Sequence, residues 1–247
     1  MASGLQTFVA AVRSIATYVA VSLYVVLIGT PLVLIAIVIN RVGFLYTAGR
    51  LGVRLGLFLS GIRFVVEGRE RILMGRPAVY AVNHASNVEP PILFEVLHQL
   101  FPRLRILYKA ELRKLPVLTR AFDLAGFVPL ERSNRDQSLP AVERAARALR
   151  EGNSFLIFPE GTRSRTGELL PFKKGGFIMA LKGQAPVVPV AIVGARRAMR
   201  KGSPIIYPVL VHVRFGEPVE TAGLTIDDRD TVIAEVRSRV EAMLGKV

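Results

Sequence analysis

Cysteine and tryptophan are absent from the 247 residues, and histidine occurs only three times. Without cysteine the chain has no disulfide framework, no thiolate zinc site and no cysteine nucleophile. Three histidines, at 84, 98 and 212, argue against a histidine-rich metal site. With no tryptophan and 8% aromatic residues, the base-stacking surfaces typical of nucleic-acid-binding proteins are not expected either.

Acidic residues are scarce and unevenly placed. The chain has 33 Lys and Arg against 19 Asp and Glu, a net charge of +14, and no acidic residue precedes Glu67. A charge this positive favours anionic partners, such as acidic lipid or phosphorylated substrates. Arginines near apolar helices suit anionic lipid headgroups, and the first 66 residues carry five of them: Arg13, Arg41, Arg50, Arg54 and Arg63.

Charged residues are also missing from Ile15 to Ile39, a 25-residue run in a chain of mean hydropathy +0.40. Such a run is long enough to cross the ~30 Å hydrocarbon core of a bilayer. Thr30-Pro31 interrupts it, and this pair predicts that one helix ends near Gly29 and another begins at Pro31. The segment would be a kinked span or a hairpin within one leaflet. We favour the hairpin, because each piece is short for a span.

The next segment, 41–60, is amphipathic, so residues 1–60 are interpreted as a membrane-associating two-helix element and 61–247 as an α/β domain. After Gly61 short apolar strands alternate with helices, which predicts a mostly parallel sheet flanked by helices. The strands are predicted at 62–66, 78–82, 105–107, 127–130, 154–158, 187–193 and 209–215. The helices are predicted at 89–100, 115–124, 138–151, 175–182 and 227–244.

One predicted strand end carries a histidine and a carboxylate. The strand 78–82 runs into Asn83-His84, and Glu89 follows five positions later. Across a tight turn, Glu89 can fix the imidazole tautomer and leave the other ring nitrogen as a general base. His212 and Glu217 have the same spacing, but an odd offset along a strand places them on opposite faces. We therefore take only His84 and Glu89 as the candidate catalytic pair.

A second strand end runs Phe158-Pro159-Glu160-Gly161-Thr162-Arg163-Ser164. Gly161 allows a sharp turn, and Arg163 can form two hydrogen bonds to a phosphate. A third predicted strand, 127–130, also leads to an arginine, Arg132. Because the carboxyl ends of parallel strands share one edge, these residues indicate a site for a phosphorylated substrate.

The residues from Gly61 to Pro218 resemble the glycerolipid acyltransferase family, most closely the 1-acylglycerol-3-phosphate O-acyltransferases. The order and content of four blocks carry the resemblance. They read Asn83-His84…Glu89, Gly126…Arg132, Phe158-Pro159-Glu160-Gly161-Thr162-Arg163-Ser164 and Val188-Pro189-Val190. Lys109-Ala110-Glu111-Leu112 is similar to a further family segment. Glu89 stands where most members have Asp, which keeps the charge and adds a methylene.

The resemblance implies acyl transfer from a thioester, acyl-CoA or acyl carrier protein, to the free hydroxyl of lysophosphatidate. His84 would be the base and Glu89 its partner. The substrate-binding residues implied are Lys109, Arg132, Glu160, Gly161, Thr162 and Arg163. No metal or other cofactor is implied. The expected site of action is the cytoplasmic face of the cell inner membrane, with anionic lipid. Glycerol-3-phosphate or a lyso-aminolipid as acceptor, or a non-catalytic lipid tether, are the alternatives.

Overall fold

The computed structural model describes residues 4–114, 116–130 and 135–245. The strands are β1 Arg63–Glu67, β2 Val79–Val82, β3 Leu104–Lys109, β4 Val128–Leu130, β5 Ser154–Ile157, β6 Val187–Val193 and β7 Leu210–Phe215. The helices are α1 Gly4–Tyr24, α2 Thr30–Ile39, α3 Gly43–Ser60, α4 Glu89–Val96, α5 Pro116–Leu124, α6 Arg135–Arg150, α7 Gly175–Gly183, α8 Ala195–Ala198 and α9 Arg229–Leu244.

The strands form one sheet in the order β1-β7-β6-β2-β5-β3-β4. Every pairing is parallel except that of β6 with β7. The prediction of a mostly parallel sheet is therefore confirmed. Since β2, β3, β4, β5 and β6 run the same way, the loops that follow them lie at one edge of the sheet.

Helices cover both faces of this sheet. The two central strands β2 and β5 are buried at every residue, as expected for strands with a core on each side. One core packs α4 and the end of α3 on the sheet, with Leu57 and Ile92 among its members. The other packs α6, α7 and α9, through Leu149, Phe177 and Val236.

The predicted break at Thr30-Pro31 is wrong. Helices α1 and α2 continue into each other through a π-helical turn, Val25–Gly29, and form one helix from Gly4 to Ile39. The Thr30 amide donates to the Val25 carbonyl, five residues back. This wider turn accommodates a proline that has no amide hydrogen to give to the ladder. The chain reverses instead after Ile39, where Asn40 adopts the left-handed conformation (φ 54°).

The hairpin therefore consists of the Gly4–Ile39 helix and α3. By length and composition, Gly4–Ile39 is long and apolar enough to cross a membrane. Its small or polar residues Ala10, Ser14, Thr17 and Ala36 are buried against the protein. Its large apolar side chains are mostly exposed, including Leu5, Phe8, Val12, Ile15, Val19, Leu23, Val26, Leu27 and Val38.

Candidate active site

The loop after β2 is anchored before it reaches His84. The buried side chain of Asn83 accepts a hydrogen bond from the Ile192 amide at 2.7 Å. It also donates to the Ile192 carbonyl at 3.1 Å. This two-way contact ties the loop to β6, the neighbouring strand, so His84 leaves the sheet from a fixed point.

His84 and Glu89 are in direct contact. The Nδ1 atom of His84 lies 2.6 Å from Oε2 of Glu89, the first residue of α4, and the Ala85 amide donates to Oε1 at 2.9 Å. The Glu89 side chain is fully buried, whereas 17% of the His84 side chain is exposed. With Nδ1–H donating to the carboxylate, Nε2 keeps its lone pair, and none of the described residues hydrogen-bonds to it.

Burial raises the pKa of the Glu89 carboxyl. The hydrogen bond from His84 and those from the amides of Ala85 and Ser86 oppose this rise, because they stabilise the ionised form. The charge on Glu89 therefore depends on its donors. A variant that removes the imidazole leaves a buried carboxyl without the hydrogen bond from His84, so the ionised form of Glu89 is less stabilised.

The loop after β5 holds His84 from the other side. The ring of Phe158 stacks on the imidazole, with centroids 4.1 Å apart. Oε1 of Glu160 accepts the His84 amide hydrogen at 2.5 Å, and the Ser164 amide donates to the His84 carbonyl at 2.7 Å. These contacts fix both the backbone and the ring of His84.

Glu160 is 3% exposed, and its second oxygen accepts the Leu170 amide at 2.9 Å. Burial raises the pKa of this carboxyl, and the Leu170 and His84 amides oppose the rise. Since both oxygens receive backbone amides, Glu160 holds two loops together. Its contact with substrate stays a prediction.

Gly161 has a left-handed backbone (φ 70°), and a Cβ atom there would lie 2.8 Å from the Lys173 side chain. This turn brings Thr162 and Arg163 to the rim of the site. The Lys201 ammonium donates to the Thr162 hydroxyl at 3.2 Å and to the Arg163 carbonyl at 3.0 Å. The described residues offer the Arg163 guanidinium no hydrogen bond or ion pair, so it is available to an anion.

Of the two other predicted binding residues, Lys109 and Arg132, the structure describes only the backbone of Lys109. Lys109 ends β3, where its backbone pairs with Leu130 of β4, but its side chain lies outside what the structure describes. Arg132 lies outside the described residues. The backbone of the first, at the edge that carries His84 and Gly161, agrees with the expected position at the carboxyl ends of the strands.

The remaining histidines are engaged elsewhere. His212 faces Glu67 at 3.0 Å, and Glu217 instead accepts a hydrogen bond from Arg71. The spacing of His212 and Glu217 thus brings no pair together, as predicted. The Nδ1 atom of His98 lies 2.8 Å from the Glu95 carbonyl. Across the described ranges, no three His, Asp or Glu side chains are grouped as metal ligands.

A cavity of about 550 Å³ lies between the hairpin and the α/β domain. Its hairpin wall includes Val21, Tyr24 and Gly52, and its other wall includes Val88 and Pro91, which precede and follow Glu89 in the sequence. The volume is typical of a small-molecule pocket.

Comparison with known proteins identifies the family of this chain. The acyltransferase family model matches residues 63–193, which include β1 through β6 and the loops after β2 and β5. The chain belongs to the acyltransferase family. The resemblance found in the four sequence blocks is thereby confirmed at the level of the family.

Several named acyltransferases are similar in sequence or fold. The 1-acyl-sn-glycerol-3-phosphate acyltransferase of Limnanthes douglasii is 35% identical over 195 residues, which are 78% of this chain and 66% of that protein. The human beta enzyme of the same name is 34% identical over 173 residues, 69% of this chain and 61% of its own. This chain thus spans less than two thirds of their length.

The crystal structure of the 1-acyl-sn-glycerophosphate acyltransferase PlsC from Thermotoga maritima superposes with a TM-score of 0.76 at 26% identity. The match covers 97% of this chain and 99% of that one. The hairpin as well as the sheet therefore has a counterpart in that acyltransferase, and the expected fold class is confirmed.

Sequence reasoning missed two residues that contact the loops of this candidate site. Lys201 follows α8 and reaches the loop of Thr162 and Arg163, and Arg237 of α9 reaches the carbonyls of Leu169 and Leu170. Both contacts join residues more than 35 positions apart. No local pattern of spacing signals such a contact, so only the folded chain reveals it.

Proposed function

We propose that this protein transfers an acyl group from a thioester, acyl-CoA or acyl carrier protein, to the free hydroxyl of 1-acylglycerol-3-phosphate, forming phosphatidate. One observation carries the proposal above others. His84 holds its Nδ1 atom against a buried carboxylate, keeps Nε2 free of the described residues, and lies beside a loop that presents Arg163. The names of the similar acyltransferases support the same acceptor.

In the proposed reaction, Nε2 of His84 takes the proton of the acceptor hydroxyl as that oxygen attacks the thioester carbonyl. Glu89 stabilises the imidazolium that forms. The tetrahedral intermediate then expels the thiolate, which takes the proton back from His84 and leaves as the thiol. The acyl group moves directly to the acceptor, so no covalent acyl-enzyme forms.

Arg163 is the proposed ligand of the acceptor phosphate, because its planar guanidinium matches a phosphate through two parallel hydrogen bonds. Lys109 and Arg132 are proposed to share this role, and Gly161 and Thr162 to shape the turn that presents Arg163. Glu160 acts in this scheme through the backbone of His84. No metal or further cofactor is proposed.

The proposed place of the acyl chains is the cavity between hairpin and domain, whose lining includes Val88, the residue before Glu89. Acceptor and product both partition into membrane, so a hairpin with an apolar outer face brings the site to its substrates. This gives the 1–60 element its proposed part in the reaction, beside the 61–247 domain that carries the chemistry.

We propose that the hairpin lies in one leaflet, on the cytoplasmic face of the inner membrane, where anionic lipid meets its arginines. The Gly4–Ile39 helix packs along the α/β domain rather than projecting from it: Ser14 accepts from the Ile206 amide, Tyr18 donates to the Pro204 carbonyl, and α2 packs on α5. A crossing helix would draw these partners into the bilayer. Impermeant labelling of cysteines placed at residues 5 and 38 in sealed inverted vesicles tests this, and labelling from opposite sides would contradict it.

The acceptor is tested by comparing four compounds with each donor in lipid vesicles. These are lysophosphatidate, glycerol-3-phosphate, monoacylglycerol and a lyso-aminolipid. We expect product from lysophosphatidate, and at least about tenfold less from monoacylglycerol, which lacks the phosphate that Arg163 would bind. Preference for another acceptor would change the substrate. If no acyl group were transferred to any of the four compounds, the hypothesis that remains would be a non-catalytic lipid tether.

A further inference from the structure

Arg237, on the last helix α9, contacts a segment next to the candidate active site. Its guanidinium donates to the Leu170 carbonyl at 2.6 Å and to the Leu169 carbonyl at 3.0 Å. The same group lies 5.5 Å from the centroid of the Phe172 ring, and it forms an ion pair with Glu241 at 2.8 Å. One side chain therefore fixes residues 169–172 in place.

This segment leads directly to the catalytic histidine. The Leu170 amide donates to Oε2 of Glu160 at 2.9 Å, and Oε1 of Glu160 accepts the His84 amide at 2.5 Å. Arg237 is thus linked to the backbone of His84 through one peptide segment and one carboxylate. Neither Leu170 nor Arg237 belongs to the four sequence blocks.

The link depends on Glu160 being ionised, since a carboxylate accepts both amides whereas a protonated carboxyl gives up an acceptor site. Glu160 is 3% exposed, and burial raises its pKa. The two amides and the positive charge of Arg237 oppose that rise. Arg237 therefore acts on Glu160 in two ways, by placing Leu170 and by its charge.

We propose that Arg237 is a positioning residue for acyl transfer, which holds Leu170 so that Glu160 fixes the backbone of His84. The proposal rests on the proposed function for its kinetic part. Its structural part, the connection from α9 to His84, can be tested without knowing the substrate.

Arg239 offers a matched control on the same helix. It too pairs with a glutamate one turn away, Glu235, and donates to a backbone carbonyl, that of Glu217 at 2.8 Å. Its backbone partners in the described structure are the carbonyls of Glu217 and Pro218, and no described hydrogen bond joins either carbonyl to Glu160 or His84. Substituting either Arg237 or Arg239 removes an arginine from α9, but only the substitution of Arg237 breaks the connection to His84.

The test compares Arg237→Gln, Arg237→Lys and Arg239→Gln by amide hydrogen exchange and by kinetics. In Arg237→Gln we expect exchange at Leu170 and His84 to speed up at least about fivefold, with no such change in Arg239→Gln. We expect kcat to fall about tenfold or more with KM for lysophosphatidate within about threefold, because the base is misplaced while the phosphate site is kept. Arg237→Lys, which keeps a charged donor, recovers part of both effects and serves if Arg237→Gln does not fold.

Unchanged exchange at His84 in both Arg237 variants would overturn the proposal, as would equal effects in Arg237→Gln and Arg239→Gln. The exchange measurement needs no turnover. If wild type transfers nothing to any acceptor while Arg237→Gln still speeds exchange at Leu170 and His84, the proposed function fails and the connection through Glu160 stands.

Discussion

The Nδ1 atom of His84 is hydrogen-bonded to Oε2 of Glu89 at 2.6 Å, across the turn between β2 and α4. The glutamate reaches this position from the first residue of a helix, with its side chain fully buried and its other oxygen bound to the Ala85 amide. In such an arrangement the carboxylate selects the ring tautomer, and the other ring nitrogen, Nε2, is left to accept a proton.

Glu89→Gln tests the charge of this pair. The amide keeps the size of the side chain but cannot stabilise an imidazolium, so we expect kcat to fall on the order of 10²- to 10⁴-fold with KM for both substrates changed little. Steady-state rates and thermal unfolding, measured together, separate this loss from misfolding. Glu89→Asp is the control: it keeps the charge and shortens the reach, and should retain more activity than Glu89→Gln. Equal rates in the wild type and Glu89→Gln would contradict the role of the carboxylate.

The position of this pair was predictable, because a strand end and a following helix start are visible in the local sequence around His84. The identity of the sheet and of most helices was predictable for the same reason. The course of the chain at Thr30-Pro31 was not, since a π-helical turn absorbs the proline without a sequence signal of its own. Substrate binding by Glu160 stays a prediction, but the two amides that its oxygens accept, those of His84 and Leu170, were not predictable, because only the fold brings them near.

Arg163→Ala tests the phosphate site. We expect KM for lysophosphatidate to rise about 10- to 100-fold with a smaller change in kcat, as for the loss of a charged hydrogen bond of about 1.5–3 kcal/mol. Arg163→Lys should restore only part of the affinity, since an ammonium lacks the planar fork. The control is Arg165→Ala, an exposed arginine two residues on in the same loop. A similar rise in KM in both alanine variants would mean that general charge, rather than Arg163, attracts the acceptor.

Glu95 links the hairpin to α4 and makes stability depend on pH. Burial alone would raise the pKa of its carboxyl, but hydrogen bonds from Arg50 and Arg54 outweigh burial and lower it to about 2. A lowered pKa means that the contribution to stability is complete above the ordinary carboxyl range, and is lost as the pH falls through that range towards 2.

We therefore expect Glu95→Gln to lower the free energy of unfolding by about 1–3 kcal/mol at pH 7, and by clearly less at pH 3. Urea unfolding in detergent at the two pH values measures both. Glu70→Gln, with a side chain 75% exposed, serves as the control and should change little at either pH. A loss in Glu95→Gln that is the same at pH 3 and pH 7 would exclude this linkage.

Gly52 of α3 packs directly against Tyr24 within the hairpin. A Cβ atom at Gly52 would lie 2.8 Å from the Tyr24 ring, which is anchored by the hydrogen bond from its hydroxyl to the Ala48 carbonyl. Gly52→Ala must displace that ring, so we expect destabilisation of about 1–3 kcal/mol, less the gain in helix propensity. Gly43→Ala, at the start of the same helix with nothing within 4 Å, should be neutral or slightly stabilising. Equal melting temperatures for the two variants would show that the hairpin adjusts freely at Tyr24.

The most direct test of the account is transfer of labelled acyl groups to lysophosphatidate in lipid vesicles, by wild type and His84→Ala. With both proteins shown to be folded, we expect phosphatidate from wild type and a rate lower by on the order of 10²- to 10⁴-fold from the variant. Equal rates from the two proteins would contradict the central claim that His84 is the base.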